Sequence, residues 1–263
     1  MADSFPTGRF VWYELLTTDM EAAKKFYLPL TGWTNAIWEG GGKPYTMWMT
    51  GNRGLGGIMT LPPEAQAQGA PPNWLAYIAT PDVDTTVARS KEMGGEVLVD
   101  IMEIPTVGKM SILKDPQGAV FAVYTPASDP PGVDGPPEVG DFSWHELLTT
   151  DPSAALDFYS TLFGWEKTDA MDMGEMGIYQ MYGRPGEGFP LGGIYRKPPE
   201  LPAPPHWLLY LKVPDMDRAL DTVRSGGGKV LHGPEEVPGG DVVAQCMDPQ
   251  GAAFALHATP KGG

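Results

Sequence analysis

Two glutamates stand at the same place in two copies of one string: Glu14 and Glu146 each open E-L-L-T-T-D, and each follows a tryptophan by two residues, Trp12 and Trp144. A strand carboxylate beside an indole is partly desolvated, which raises its pKa and suits it to proton transfer. The competing role is an ion pair with a Lys or Arg at a domain edge. The four histidines, His145, His206, His232 and His257, all lie in the second half of the chain. His145 is adjacent to Glu146, so strand alternation turns it to the opposite face, where a packed, hydrogen-bonded imidazole is expected. His232 sits in a Gly/Pro stretch and is expected to be solvated. Cys246 is the one cysteine, which excludes an intrachain disulfide and points to a reducing, cytoplasmic compartment. Its apolar neighbours Val242–Val243–Ala244 predict a buried, inert thiol. No P-loop, dinucleotide fingerprint, nucleophile elbow or C-x-x-C occurs. The G-G-G-K strings at 40–43 and 226–229 read as turns, since neither opens a helix.

These groups must be held by a folded scaffold, and the composition provides for one. The 263 residues suffice for one large domain or two ordinary ones, and 42% hydrophobic with 19% charged residues is a globular balance. Glycine (34) and proline (28) are plentiful enough to favour many turns and short strands. A formal net charge of −15 argues against nucleic acid and against an anionic membrane surface as partners. No apolar run approaches the ~20 residues that a membrane-spanning helix needs, and none near the N-terminus suits a secretory signal.

The scaffold is duplicated. Residues 12–33 (WYELLTTDMEAAKKFYLPLTGW) and 144–165 (WHELLTTDPSAALDFYSTLFGW) agree at 14 of 22 positions. LGGI at 55–58 recurs at 191–194, PNWLAY at 72–77 answers PHWLLY at 205–210, and DPQGAVFAV at 115–123 answers DPQGAAFAL at 248–256. Between the copies, residues 127–141 hold four prolines and three glycines and read as an irregular linker. The predicted domains are therefore 1–130 and 131–263. Within each half an apolar strand twice ends in an Asp that opens a helix, at Asp19 and Asp82 and again at Asp151 and Asp215. Each Asp can cap free N–H groups and complement the helix dipole. Gly32, Gly94, Gly164 and Gly226 follow the helices and can stop them in the left-handed region. Two or three short strands come next, so the unit is βαβββ, two per half. Trp33 and Trp165 close the first helix of each half and are expected in the core.

The sequence of strand, Asp, helix with Phe–Tyr, L-x-G-W, then GGI, a second strand–helix and D-P-x-G with a final strand resembles the vicinal-oxygen-chelate superfamily. That group includes glyoxalase I, bleomycin-resistance proteins and extradiol dioxygenases, and the resemblance covers nearly the whole chain, closest to two-domain, hydroxylase-like members. It implies an α+β fold: two tandem glyoxalase-like domains, each of paired βαβββ modules forming a curved, mostly antiparallel sheet around a cleft. It also implies metal-ligand positions, which here carry Trp12 and Trp144, Leu75 and Leu208, and Ala122 and Ala255. None of these side chains binds a metal, so no resident cofactor is expected.

Residues two away from those positions should share the concave face. They are Glu14 and Glu146, Asn73 and Tyr77, His206 and Tyr210, Tyr124 and His257, with Trp12 and Trp144 as floors. Two readings follow. In the first, the protein is a monomer or homodimer that binds a small, flat apolar or aromatic metabolite between aromatic walls. In the second it is a lyase, isomerase or oxygenase with Glu14 or Glu146 as general base, with a displaced divalent metal on Glu146, His206 and His257 as one form of it.

Overall fold

A computed structural model describes residues 5–67, 69–128 and 135–260. The first half contains β1 (Phe10–Thr17), α1 (Met20–Thr31), β2 (Thr34–Trp38), β3 (Tyr45–Thr50), β4 (Arg53–Thr60), α2 (Pro63–Ala67), β5 (Asn73–Ala79), α3 (Val83–Glu92), β6 (Glu96–Ile104), β7 (Gly108–Lys114) and β8 (Val120–Pro126). The second contains β9 (Phe142–Thr149), α4 (Pro152–Phe163), β10 (Glu166–Asp172), β11 (Ile178–Gly183), β12 (Gly192–Arg196), β13 (His206–Lys212), α5 (Met216–Ser225), β14 (Lys229–Glu236), β15 (Val242–Met247) and β16 (Ala253–Ala258). The βαβββ period thus appears four times; the short α2 and a 3₁₀ turn at Gly174–Met176 were not legible in it. The described residues of the Pro/Gly-rich linker, 127–128 and 135–141, form neither helix nor strand.

Each half gives an eight-stranded mixed sheet, ordered β2-β3-β4-β1-β5-β8-β7-β6 and β10-β11-β12-β9-β13-β16-β15-β14. Within every module the first strand pairs in parallel with the last, and the last three strands form an antiparallel meander. The fold is the α+β arrangement that the resemblance implies.

The helix starts are the predicted ones. Asp19 accepts from the Ala22 N–H at 2.9 Å, Asp82 from Asp84 at 3.0 Å, Asp151 from Ala154 at 3.1 Å and Asp215 from Arg218 at 3.0 Å. Gly32 and Gly164 close α1 and α4 at φ 73° and 72°. Gly226 departs from expectation: its φ is −77°, and Gly227 takes the left-handed conformation at φ 86°. Gly226 occupies the place of Met93 in the first copy, so the turn residue matching Gly94 is Gly227. No helix among the described residues is long and apolar enough to cross a membrane.

The chain divides into two compact units that draw on both halves of the sequence. One comprises the described residues within Met1–Trp12, Leu75–Asp134 and Trp144–Trp207; the other those within Tyr13–Trp74, Gly135–Ser143 and Leu208–Gly263. Each unit is pinned by the same buried device. In the first unit Asp115 accepts three backbone N–H bonds of its D-P-Q-G turn on Oδ1, while Tyr159 of α4 donates to Oδ2 at 3.0 Å. Trp207 in turn donates to the Tyr159 oxygen at 3.2 Å. In the second unit Asp248, Tyr27 and Trp74 repeat the arrangement. Burial pushes both aspartate pKa values up, against the backbone and tyrosine hydrogen bonds that favour the charged form. The F-Y and D-P-Q-G motifs are thus two ends of one contact. Trp33 and Trp165 are buried as expected, donating to the carbonyls of Gly140 and Gly8.

Candidate carboxylate–tyrosine sites

Glu14 on β1 stands opposite Gly57 on β4. Tyr45, on the adjacent β3, lies over that glycine and donates its hydroxyl to Glu14 Oε1 at 2.8 Å. A Cβ on Gly57 would overlap the Tyr45 hydroxyl, so only glycine leaves the ring room to reach the carboxylate. The other unit contains the same construction: Glu146 on β9 faces Gly193 on β12, and Tyr179 on β11 fills the space above it. Tyr179 donates to Glu146 Oε2 at 3.0 Å, and Trp144 Nε1 donates to the Tyr179 oxygen at 2.7 Å. The Tyr195 ring lies 5.5 Å from Tyr179. Both glutamates are 5% exposed. Tyr179 is buried, whereas Tyr45 is half-buried.

The partner found for each carboxylate is a tyrosine that the sequence reading did not include. A signal for it was present: Tyr45-Thr46-Met47-Trp48 and Tyr179-Gln180-Met181-Tyr182 repeat Y-x-M-aromatic, and each precedes an LGGI string.

At the family's metal-ligand positions Leu75, Leu208, Ala122 and Ala255 are buried, while Trp12 and Trp144 are half-buried. Leu, Ala and the indole N–H offer no lone pair to a cation. In the first unit Trp12, Leu75, Tyr77, Ala122 and Tyr124 pack on one another with Val11 and Met110. The Tyr124 hydroxyl donates to the Val107 carbonyl at 2.7 Å. Asn73 is half-buried at the start of β5, and Tyr210 is buried on β13.

The two inward histidines and Glu146 have separate partners. His206 Nδ1 is 2.8 Å from the Pro204 carbonyl, and burial holds its pKa below the ordinary value. His257 lies 2.7 Å from Ser143 Oγ through Nδ1 and 2.9 Å from Asp241 Oδ2 through Nε2. Among the described residues no three His, Cys, Asp or Glu side chains are grouped to hold a metal ion. His145 is packed as anticipated: its ring stacks on Phe10 at 3.7 Å, its Nδ1 is 2.9 Å from the Leu191 carbonyl, and burial lowers its pKa to about 4. His232 is exposed, beside Glu235. Cys246 is buried and its thiol is pushed up to about 12. A cavity of about 310 Å³ lies against the start of α5, lined by Pro214, Met216, Pro234, Val242 and Ala258 among others. It includes none of the expected site residues.

The model of the Glyoxalase/Bleomycin resistance protein/Dioxygenase superfamily matches residues 9–123 and again 142–256. A Mycobacterium tuberculosis protein that carries the glyoxylase name CFP32 is 35% identical over 248 residues, covering 93% of this chain and 92% of that protein. The anthracycline biosynthesis protein DnrV of Streptomyces peucetius is 30% identical over 264 residues, covering 96% and 94%. In fold, the chain is similar to the Mn(II)-bound glyoxalase of Novosphingobium aromaticivorans (TM-score 0.65, 15% identity, 98% and 83% covered). It is likewise similar to the 2,3-dioxygenase LapB of Pseudomonas sp. KL28 (TM-score 0.64, 11% identity, 97% and 94% covered).

Proposed function

The chain belongs to the Glyoxalase/Bleomycin resistance protein/Dioxygenase superfamily, and from that premise we propose that it binds a small, flat, apolar or aromatic metabolite without the family's usual metal. The observation that carries this reading is the hydrogen-bonded chain Trp144–Tyr179–Glu146, with its counterpart Tyr45–Glu14. Because Tyr179 accepts from the indole and donates to the carboxylate, its hydroxyl is fixed in direction, and a buried carboxylate oriented in this way suits recognition of a ligand O–H or N–H. Trp144 and Tyr195 add flat apolar surface beside it. The absence of donor atoms at Trp12, Trp144, Leu75, Leu208, Ala122 and Ala255 favours recognition by hydrogen bonds and stacking. Similarity to a protein named for anthracycline biosynthesis suggests polycyclic aromatics as the first class to try.

A second reading uses the same atoms. A desolvated Glu146 or Glu14 beside a tyrosine hydroxyl can remove a proton from a bound carbon or oxygen acid, which is lyase, isomerase or oxygenase chemistry. The first reading is tested by titrating chelator-treated protein with an anthracycline and following the ligand's own fluorescence. Saturable, stoichiometric binding unchanged by added divalent metal is expected. Binding that requires the metal, or no saturable binding of this class, would refute it.

A further inference from the structure

We propose that Ser143, His257 and Asp241 form a second reactive site, a serine nucleophile with its base and orienting carboxylate, acting on a small carboxylic ester. All three lie in the unit containing Leu208–Gly263: Ser143 on β9, His257 on β16, and Asp241 immediately before β15. The imidazole is engaged at both nitrogens, with Ser143 Oγ 2.7 Å from Nδ1 and Asp241 Oδ2 2.9 Å from Nε2. A neutral ring beside that carboxylate carries its proton on Nε2 and donates it to Asp241. Nδ1 is then left as an acceptor aimed at the serine hydroxyl. The competing acceptor for the serine proton, the Tyr210 carbonyl, is farther away at 3.3 Å. These are the contacts that activate a hydroxyl for attack: nucleophile to base, base to orienting acid.

The first copy of the fold shows that stability does not require the trio. By the repeat offsets, Val11, Tyr124 and Gly108 stand where Ser143, His257 and Asp241 stand. There Val11 and Tyr124 pack into an apolar cluster with Leu75, Tyr77 and Met110, and Gly108 (φ 147°) leaves no room for a side chain. The same three scaffold positions thus carry a packed valine, a tyrosine and a bare glycine in one copy and three mutually hydrogen-bonded polar groups in the other. Ser143 and His257 are only half-buried, and the Asp241 side chain is 36% exposed, so solvent reaches the trio.

The step balances with water alone. Ser143 Oγ forms a bond to the acyl carbon as its proton passes to His257 Nδ1. The acyl C–O bond then breaks, and the departing alcohol takes that proton. Water next attacks the acyl-serine, giving one proton to His257; cleavage of the Oγ–acyl bond returns it to Ser143 and frees the acid.

The test is covalent capture of the intact protein with a small fluorophosphonate: a P–O bond to Ser143 forms, P–F breaks, and His257 takes the serine proton. A single adduct mapping to the peptide that contains Ser143 is expected. Its rate should fall by roughly 100-fold or more in His257→Gln and be lost in Ser143→Val, the residue of the first copy. Circular dichroism would confirm that both variants fold. No adduct at Ser143 in the wild-type protein overturns the proposal, and so does an adduct whose rate is the same in His257→Gln. Neither result bears on anthracycline binding, so the two readings fail separately.

Discussion

In one unit Glu14 takes a hydrogen bond from a half-exposed Tyr45; in the other, Glu146 takes one from a buried Tyr179 that is itself held by Trp144. The backbone recipe is identical: a glutamate on the first strand, a glycine opposite it, and a tyrosine laid over the glycine. What differs is the depth of the tyrosine, half-buried in one unit and buried in the other. The rest of each copy diverges further. His145 takes the place of Tyr13, and His257 with Ser143 and Asp241 takes the place of an apolar cluster. Duplication has kept the capping aspartates and the glutamate–glycine–tyrosine arrangement in both copies and has changed these other side chains.

The largest test of that difference uses pH. His145 is buried neutral with a pKa near 4, whereas an unfolded histidine titrates near 6.5. Between those values the unfolded chain binds the extra proton, so acidification destabilises the folded state, by up to roughly 3 kcal/mol at full extent. Urea unfolding of the wild-type protein should show this loss between pH 6.5 and 4, and His145→Phe should flatten it. Tyr13, in the equivalent place, has its pKa raised by burial and contributes nothing in this window. An unchanged pH profile in the variant would deny the copies this difference.

A somewhat smaller effect probes what the copies share. A Cβ on Gly56 would strike the Tyr13 carbonyl, and one on Gly192 the His145 carbonyl. Gly56→Ala and Gly192→Ala should each cost about 2 kcal/mol by forcing paired strands apart, seen as matched falls in the thermal midpoint. Unequal falls would show that the frameworks are not equivalent. Smaller again is Tyr27→Phe or Tyr159→Phe, each removing one hydroxyl from a buried aspartate. About 1 kcal/mol is expected from either, because the three backbone N–H bonds to Asp248 or Asp115 remain.

Much of the fold was legible because its signals are local. The capping aspartates, the stop glycines at 32 and 164, and the strand–helix alternation each depend on a few neighbouring residues, and each is where it was read. Gly226 was misplaced by one because three glycines in a row leave the turn register to the helix's last hydrogen bonds. The site was legible only in part. Strand alternation singled out Glu14, Glu146 and His257 as candidates, but it cannot tell which side chain on a neighbouring strand will meet them. Tyr45 and Tyr179 depend on a three-strand register, and Ser143 and Asp241 lie 114 and 16 residues from the histidine they touch. His206 was grouped with Glu146 and His257 by face alone, and its nearest partner is the carbonyl of Pro204, two residues away.

On the proposed reading, an enclosed carboxylate–tyrosine pair takes the place of the metal in recognising the ligand, most effectively at Glu146. Calorimetric titration of an anthracycline into chelator-treated wild-type, Glu14→Gln and Glu146→Gln proteins tests it most directly. Loss of a charge-assisted hydrogen bond should weaken binding about 10-fold or more in Glu146→Gln, and by clearly less in Glu14→Gln. Equal affinities in all three proteins would contradict the account.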